Sequence, residues 1–134
     1  MSANNNAALL ISQAIEFRPN AVVIRAEHLY TKVASALEPH NIKVYAGEDA
    51  LCQIIEMETI DMVLVALVGY AGLRPTLSAI AAGRKIAIAN KETFVVAGEL
   101  VTKLAMQKGV NLLPVDSEHS AIFFFLLGEL LNPV

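Results

Sequence analysis

Between residues 61 and 89 the chain twice runs almost unbroken through apolar residues, in DMVLVAL from 61 and KIAIA from 85, with a helical stretch between them. A strand that shows one face to water alternates apolar and polar side chains. A strand covered by helices on both faces has no such need, so these runs read as central parallel strands. The longest apolar runs, MVLVALVGYAGL and AIFFFLLGELL, are well short of the roughly 20 residues a helix needs to cross a bilayer. They read as core or interface, and no membrane partner is expected.

The same alternation runs along the rest of the chain. A helix is predicted over 6–17, with Leu9, Leu10, Gln13, Ala14 and Phe17 along one side and Pro19 closing it. AVVIRA from 21 reads as a strand, 27–37 as a helix, IKVYA from 42 as a strand, and 48–57 as a helix carrying Leu51, Ile54 and Ile55. A helix over 75–82 stops at Gly83, a long one runs from Asn90 to about Lys108 before Gly109, and 110–115 forms the last strand. This order predicts an α/β fold with a doubly wound, mostly parallel sheet and right-handed crossovers, built as one domain over 1–134.

An apolar share of 55% and a charged share of 17% argue against disorder. The net charge of -3, with scattered Lys and Arg, leaves no basic stripe for a phosphate backbone, which excludes nucleic acid as a partner. Cys52 is the single cysteine, with no metal-ligand spacing around it, and reads as a half-buried thiol suited to a reducing cytoplasm. The start, MSANNNAALL, lacks the basic and apolar segments of a signal peptide.

In doubly wound sheets ligands sit at the carboxyl ends of the strands. Here those ends carry VGYAG, NKE and DSEH, which the fold would bring to one edge. Asp116 and Glu118 are two apart and converge if the backbone stays extended through Ser117, offering hard oxygen ligands that suit Mg²⁺ or Mn²⁺. Equally, Asp116 or Ser117 could cap the following helix. His119 reads as a surface or hydrogen-bonded residue. Asn90 could cap a helix whose first turn presents Lys91 and Glu92 to the crevice, or the three could be a plain cap with solvated charges. Gly69 and Gly72 permit close approach of a ligand or serve as a packing turn. Asn4, Asn5 and Asn6 offer amides to a helix N-terminus and to a phosphate, or form an ordinary polar start.

Taken in order, SANNNAALL, ALVGYAGLRPTLSAIAAGRKIAIANKETFVVAGELV and LLPVDSEHSAIF resemble the N-terminal region of the 1-deoxy-D-xylulose 5-phosphate reductoisomerases. ANKE followed by PVDSEH is a specific pairing for that family. The resemblance implies a Rossmann-like domain and an NADPH-dependent enzyme of non-mevalonate isoprenoid biosynthesis, using Mg²⁺ or Mn²⁺. Such an enzyme rearranges the skeleton of 1-deoxy-D-xylulose 5-phosphate and reduces the resulting aldehyde to 2-C-methyl-D-erythritol 4-phosphate. By the same resemblance Asp116 and Glu118 hold the metal and Glu118 and Lys91 serve catalysis. Lys91, Ser117 and Glu118 bind the phosphorylated sugar. Asn90 and Glu92 line the cofactor, Ala66, Leu67, Val68 and Gly69 pass beneath it, and Asn4 to Asn6 meet its adenosine 2′-phosphate side. The family is a cytoplasmic homodimer.

The chain departs from the family in lacking its opening strand and Gly-rich turn of the form GxTGxIG, whose strands would sit mid-sheet. It also stops before the domain that supplies a third metal carboxylate and the flap, and it carries Phe124 and Phe125 where a more polar helix start is expected. These departures lead to the expectation that the chain by itself is inactive and self-associates through uncovered strand edges. The competing expectation is a non-catalytic nucleotide-binding or oligomerisation module.

Overall fold

The structure is a computed structural model that describes residues 1–67, 69–89 and 91–115, with backbone alone at 69 and 91–96. The chain divides into two compact units, Met1–Ile54 and Ile55–Val134. Both alternate parallel strands with helices, as the sequence predicts, but the described strands form two three-stranded sheets.

In the first unit β1 (Ser2–Ala3), β2 (Ala21–Ile24) and β3 (Lys43–Ala46) pair in that order, all parallel. Helix α1 (Ala7–Phe17) connects β1 to β2, and α2 (Tyr30–Leu37) connects β2 to β3. The Asn6 side chain accepts the Leu9 N–H at 3.1 Å and so satisfies a donor that the first helical turn leaves open. Arg18 ends α1 in the left-handed region, φ 46°, because Pro19 disfavours continued helix, and its N–H returns to the Ala14 carbonyl at 2.9 Å. The face that α1 buries is Ala7, Leu10 and Ala14, packed with Val22, Ile24, Val33, Leu37 and Ile42. Leu9 and Phe17 are 51% and 64% exposed. Leu10 and Ala14 are thus buried as predicted, and the buried stripe is turned by about 60° away from Leu9 and Phe17 toward Ala7. Helix α3 (Glu48–Glu56) follows β3, and within it Cys52 is buried and free. The Met1 amine donates to the Ala21 carbonyl at 3.2 Å, and burial pushes its pKa below the ordinary value.

In the second unit β4 (Met62–Val65), β5 (Lys85–Ile88) and β6 (Leu112–Pro114) pair in that order, again parallel. Strand β5 is central, and Ile86, Ala87 and Ile88 are all buried, as its apolar run predicts. Strand β4 is an edge strand in this sheet, and Met62 and Leu64 are 49% and 62% exposed. The expectation that β4 is central and covered on both faces is thus corrected for the described residues. After β4 a 3₁₀ turn, Gly69–Gly72, feeds α4 (Leu73–Ala81). Pro75 lies in the first turn of α4, where its missing N–H costs no helical bond, and buried Thr76 satisfies its hydroxyl on the Gly72 carbonyl at 2.7 Å.

Helix α5 (Lys91–Lys108) is not continuous: Ala97, just before Gly98, has φ −136° and ψ 19°, so two helical segments replace the single long helix expected. Both α4 and α5 end on glycine as predicted. Gly83 and Gly109 have φ 69° and 64°, and Arg84 and Val110 donate back to the carbonyls of Ala79 and Ala105 at 2.9 Å each.

Candidate functional site

The register of the second sheet fixes what can meet at its carboxyl edge. Val65 is level with Ile88, and Ile88 with Pro114. The ladder continues one step, with the Ala89 N–H on the Val65 carbonyl and the Val115 N–H on the Ile88 carbonyl, both at 2.9 Å. Ala66, Ala89 and Val115 therefore leave the sheet side by side, at strand spacings of about 4.8 Å. The segments singled out in the sequence start from this row. Ala66 is exposed and Leu67 half-buried, and Gly69 opens the 3₁₀ turn. Lys91 and Glu92 open α5, whose first-turn backbone N–H groups have no partner within the helix. Val68, Asn90, Asp116, Ser117, Glu118, His119, Phe124 and Phe125 lie outside the described residues, as do the side chains of Lys91 and Glu92.

The first unit repeats the arrangement. Ala3, Ile24 and Ala46 are level across β1, β2 and β3, and the chain leaves them as Asn4, Arg25 and Gly47. Asn4, Asn5 and Asn6 are exposed, with Asn6 committed to capping α1. The Arg25 N–H meets the Ala3 carbonyl and the Ala26 N–H the Asn4 carbonyl, each at 2.9 Å, which carries the parallel ladder past the end of β1. Arg25 Nη2 lies 3.0 Å from Glu48 Oε2, in the first turn of α3. Sequence reasoning passed over this pair because its members are 23 residues apart. Its only local signal is a base directly after a buried strand and an acid two residues past the end of the next one.

Two features do not belong to this edge. An open groove of about 470 Å³ beside α2 and β3, lined among others by Tyr30, Ser35, Asn41 and Lys43, contains none of the predicted site residues. Among the described residues no cluster of three or more His, Cys, Asp or Glu could hold a metal, and no helix is long and apolar enough to cross a membrane.

A parallel α/β edge of this kind suits many nucleotide enzymes, so the decision comes from comparison with known proteins. The profile of the 1-deoxy-D-xylulose 5-phosphate reductoisomerases matches residues 1–98. The chain belongs to this family. It is 58% identical over all 134 residues to the 1-deoxy-D-xylulose 5-phosphate reductoisomerase of Bacteroides fragilis, and covers 34% of that protein. It thus spans about a third of the length of the curated relatives it matches. The reductoisomerase of Zymomonas mobilis in complex with NADPH superposes with a TM-score of 0.83 at 40% identity, over 91% of this chain and 32% of that one. A reductoisomerase structure with NADPH, fosmidomycin and magnesium gives 0.81 at 35% identity, over 88% and 29%. The parallel α/β units of this chain are accordingly those of a reductoisomerase Rossmann-like domain.

Proposed function

We propose that this chain is the NADPH-binding portion of a cytoplasmic, homodimeric enzyme that isomerises and reduces 1-deoxy-D-xylulose 5-phosphate to 2-C-methyl-D-erythritol 4-phosphate. The observation that carries the reading is the in-register row Ala66, Ala89 and Val115, from which the family's ANKE and PVDSEH segments start. Small side chains at two of the three exits leave the backbone open to a flat cofactor, the position where parallel sheets bind dinucleotides. The residue types fit the cofactor and the metal alike.

In this reading Ala66, Leu67, Val68 and Gly69 run beneath NADPH, Asn90 and Glu92 line it, and Asn4, Asn5 and Asn6 face its 2′-phosphate end. Asp116 and Glu118 hold Mg²⁺ or Mn²⁺ through hard carboxylate oxygens. The bound ion supplies Lewis acidity to the oxygens of the sugar while its carbon skeleton is rebuilt. Ser117 hydrogen-bonds the substrate, Lys91 contacts its oxygen-bearing carbons as a cation, and Glu118 serves both the ion and the reacting oxygens.

Isothermal titration of the chain with NADPH, with and without Mn²⁺, tests the reading. Saturable binding, favoured over NADH, is expected. A folded sample that takes up neither nucleotide would contradict it, and NADPH binding unaffected by Mn²⁺ or by Asp116→Ala with Glu118→Ala would favour a non-catalytic nucleotide module.

A further inference from the structure

The segment that the cofactor reading sets against the 2′-phosphate is Asn4, Asn5 and Asn6, which has no charged side chain. Neutral amides bind a phosphate dianion less strongly than a cation does, and NADP-selective dinucleotide folds commonly place an arginine close to the ribose. We propose that Arg25, contributed by the neighbouring strand and held by Glu48, is the residue that selects the 2′-phosphorylated cofactor in this chain. The inference rests on the NADPH reading above.

Three observations on the first unit carry it. The register Ser2↔Val23 and Ala3↔Ile24, continued by the bond from the Ala26 N–H to the Asn4 carbonyl, sets Arg25 level with Asn4 one strand away. The Arg25 side chain is 39% exposed, so it is reachable from solvent at the carboxyl edge, whereas Arg18 and Lys43 stand at the amino edge of the same sheet. The contact with Glu48 uses one nitrogen, Nη2, of a planar group with five donors, and so aims the fork without consuming it. A half-exposed pair of this kind contributes little to stability, so a role in orientation accounts for it better than a role in folding. Glu27, Glu48 and Asp49 are the acids of this corner: Glu48 pairs with Arg25, the Glu27 carboxylate lies against Gly47, and Asp49 follows Glu48 in the first turn of α3. Arg25 is the cation at this edge of the sheet, with donors of its fork left over for a phosphate.

The test compares binding of 2′,5′-ADP and 5′-AMP, which differ by the 2′-phosphate alone, to the chain and to its Arg25→Gln and Arg25→Lys variants. Far-UV circular dichroism verifies that each folds. The chain is expected to prefer 2′,5′-ADP by about tenfold or more, as a charge-assisted bidentate contact provides. Arg25→Gln should bring the two ligands to within about threefold, and Arg25→Lys, which keeps the charge and loses the fork, should fall between. A preference that survives in Arg25→Gln would overturn the assignment of Arg25 and leave the cofactor reading intact. Absence of any preference in the unaltered chain would also overturn it, and a parallel NADPH titration then shows whether the cofactor reading falls too.

Discussion

The two units are built on one plan and finished differently. Among the described residues each contains a parallel three-stranded sheet whose strands leave its carboxyl edge in register. In Met1–Ile54 that edge carries amides and an arginine paired with a glutamate, groups suited to the anionic end of a nucleotide. In Ile55–Val134 it carries small residues and leads in sequence into NKE and DSEH, the residues proposed for the metal and the substrate. The helix ends differ too. Helices of the first unit close on Arg18 and Asn41 with φ 46° and 57°, those of the second on Gly83 and Gly109. The proposed reading puts recognition of the nucleotide on the first sheet and chemistry on the second, and the second has the less strained helix ends.

The largest expected effect breaks the comparison at the chemical edge. Asp116→Ala combined with Glu118→Ala should weaken Mn²⁺ binding by more than about a hundredfold, beyond what loss of mere supporting groups costs. Nitroxide-free electron paramagnetic resonance of Mn²⁺ reads this directly, and equal affinity in the variant would remove the second unit's claim to the metal.

Next come the cores. Leu10 and Ile86 are each almost fully buried, one in each unit. Truncation of either to alanine should cost about 2–5 kcal/mol in urea unfolding. A cost below 1 kcal/mol at one site would show that its unit is loosely packed.

The helix ends give smaller effects of opposite sign. Gly83→Ala should destabilise by about 1 kcal/mol, since φ 69° disfavours a side chain, whereas Arg18→Gly should stabilise by up to about 1 kcal/mol. Equal signs in thermal melts would erase the contrast. Removal of the Asn6 cap by Asn6→Ala should cost about 1 kcal/mol, and hydrogen exchange at Leu9 should report it first.

Much of this was legible in the sequence wherever the signal is local. Asn6 as a cap, Pro19 as a stop and the glycines after α4 and α5 act through their own backbone, and the structure has each where the pattern puts it. Strand β5 could be read as buried because its whole run is apolar. The same signal misled at β4, since an apolar run cannot report which neighbours a strand will have. Strand β1 has two residues, too few for any period, and appears only through its pairing with β2. On α1 Leu10 and Ala14 are read rightly, but Leu9 and Phe17 are apolar too, and only packing leaves them exposed while small Ala7 is buried. The Arg25–Glu48 pair depends on β2 and β3 lying side by side, which no local pattern encodes.

The central claim is the proposal that this chain binds NADPH through residues at strand carboxyl ends. A ¹⁵N-resolved NMR titration of the chain with NADPH tests it most directly. The account predicts saturable shifts at Asn4 to Asn6, Arg25, Ala66, Leu67 and Ala89. Shifts confined to the groove of Tyr30, Ser35 and Lys43, or none in a folded sample, would contradict it.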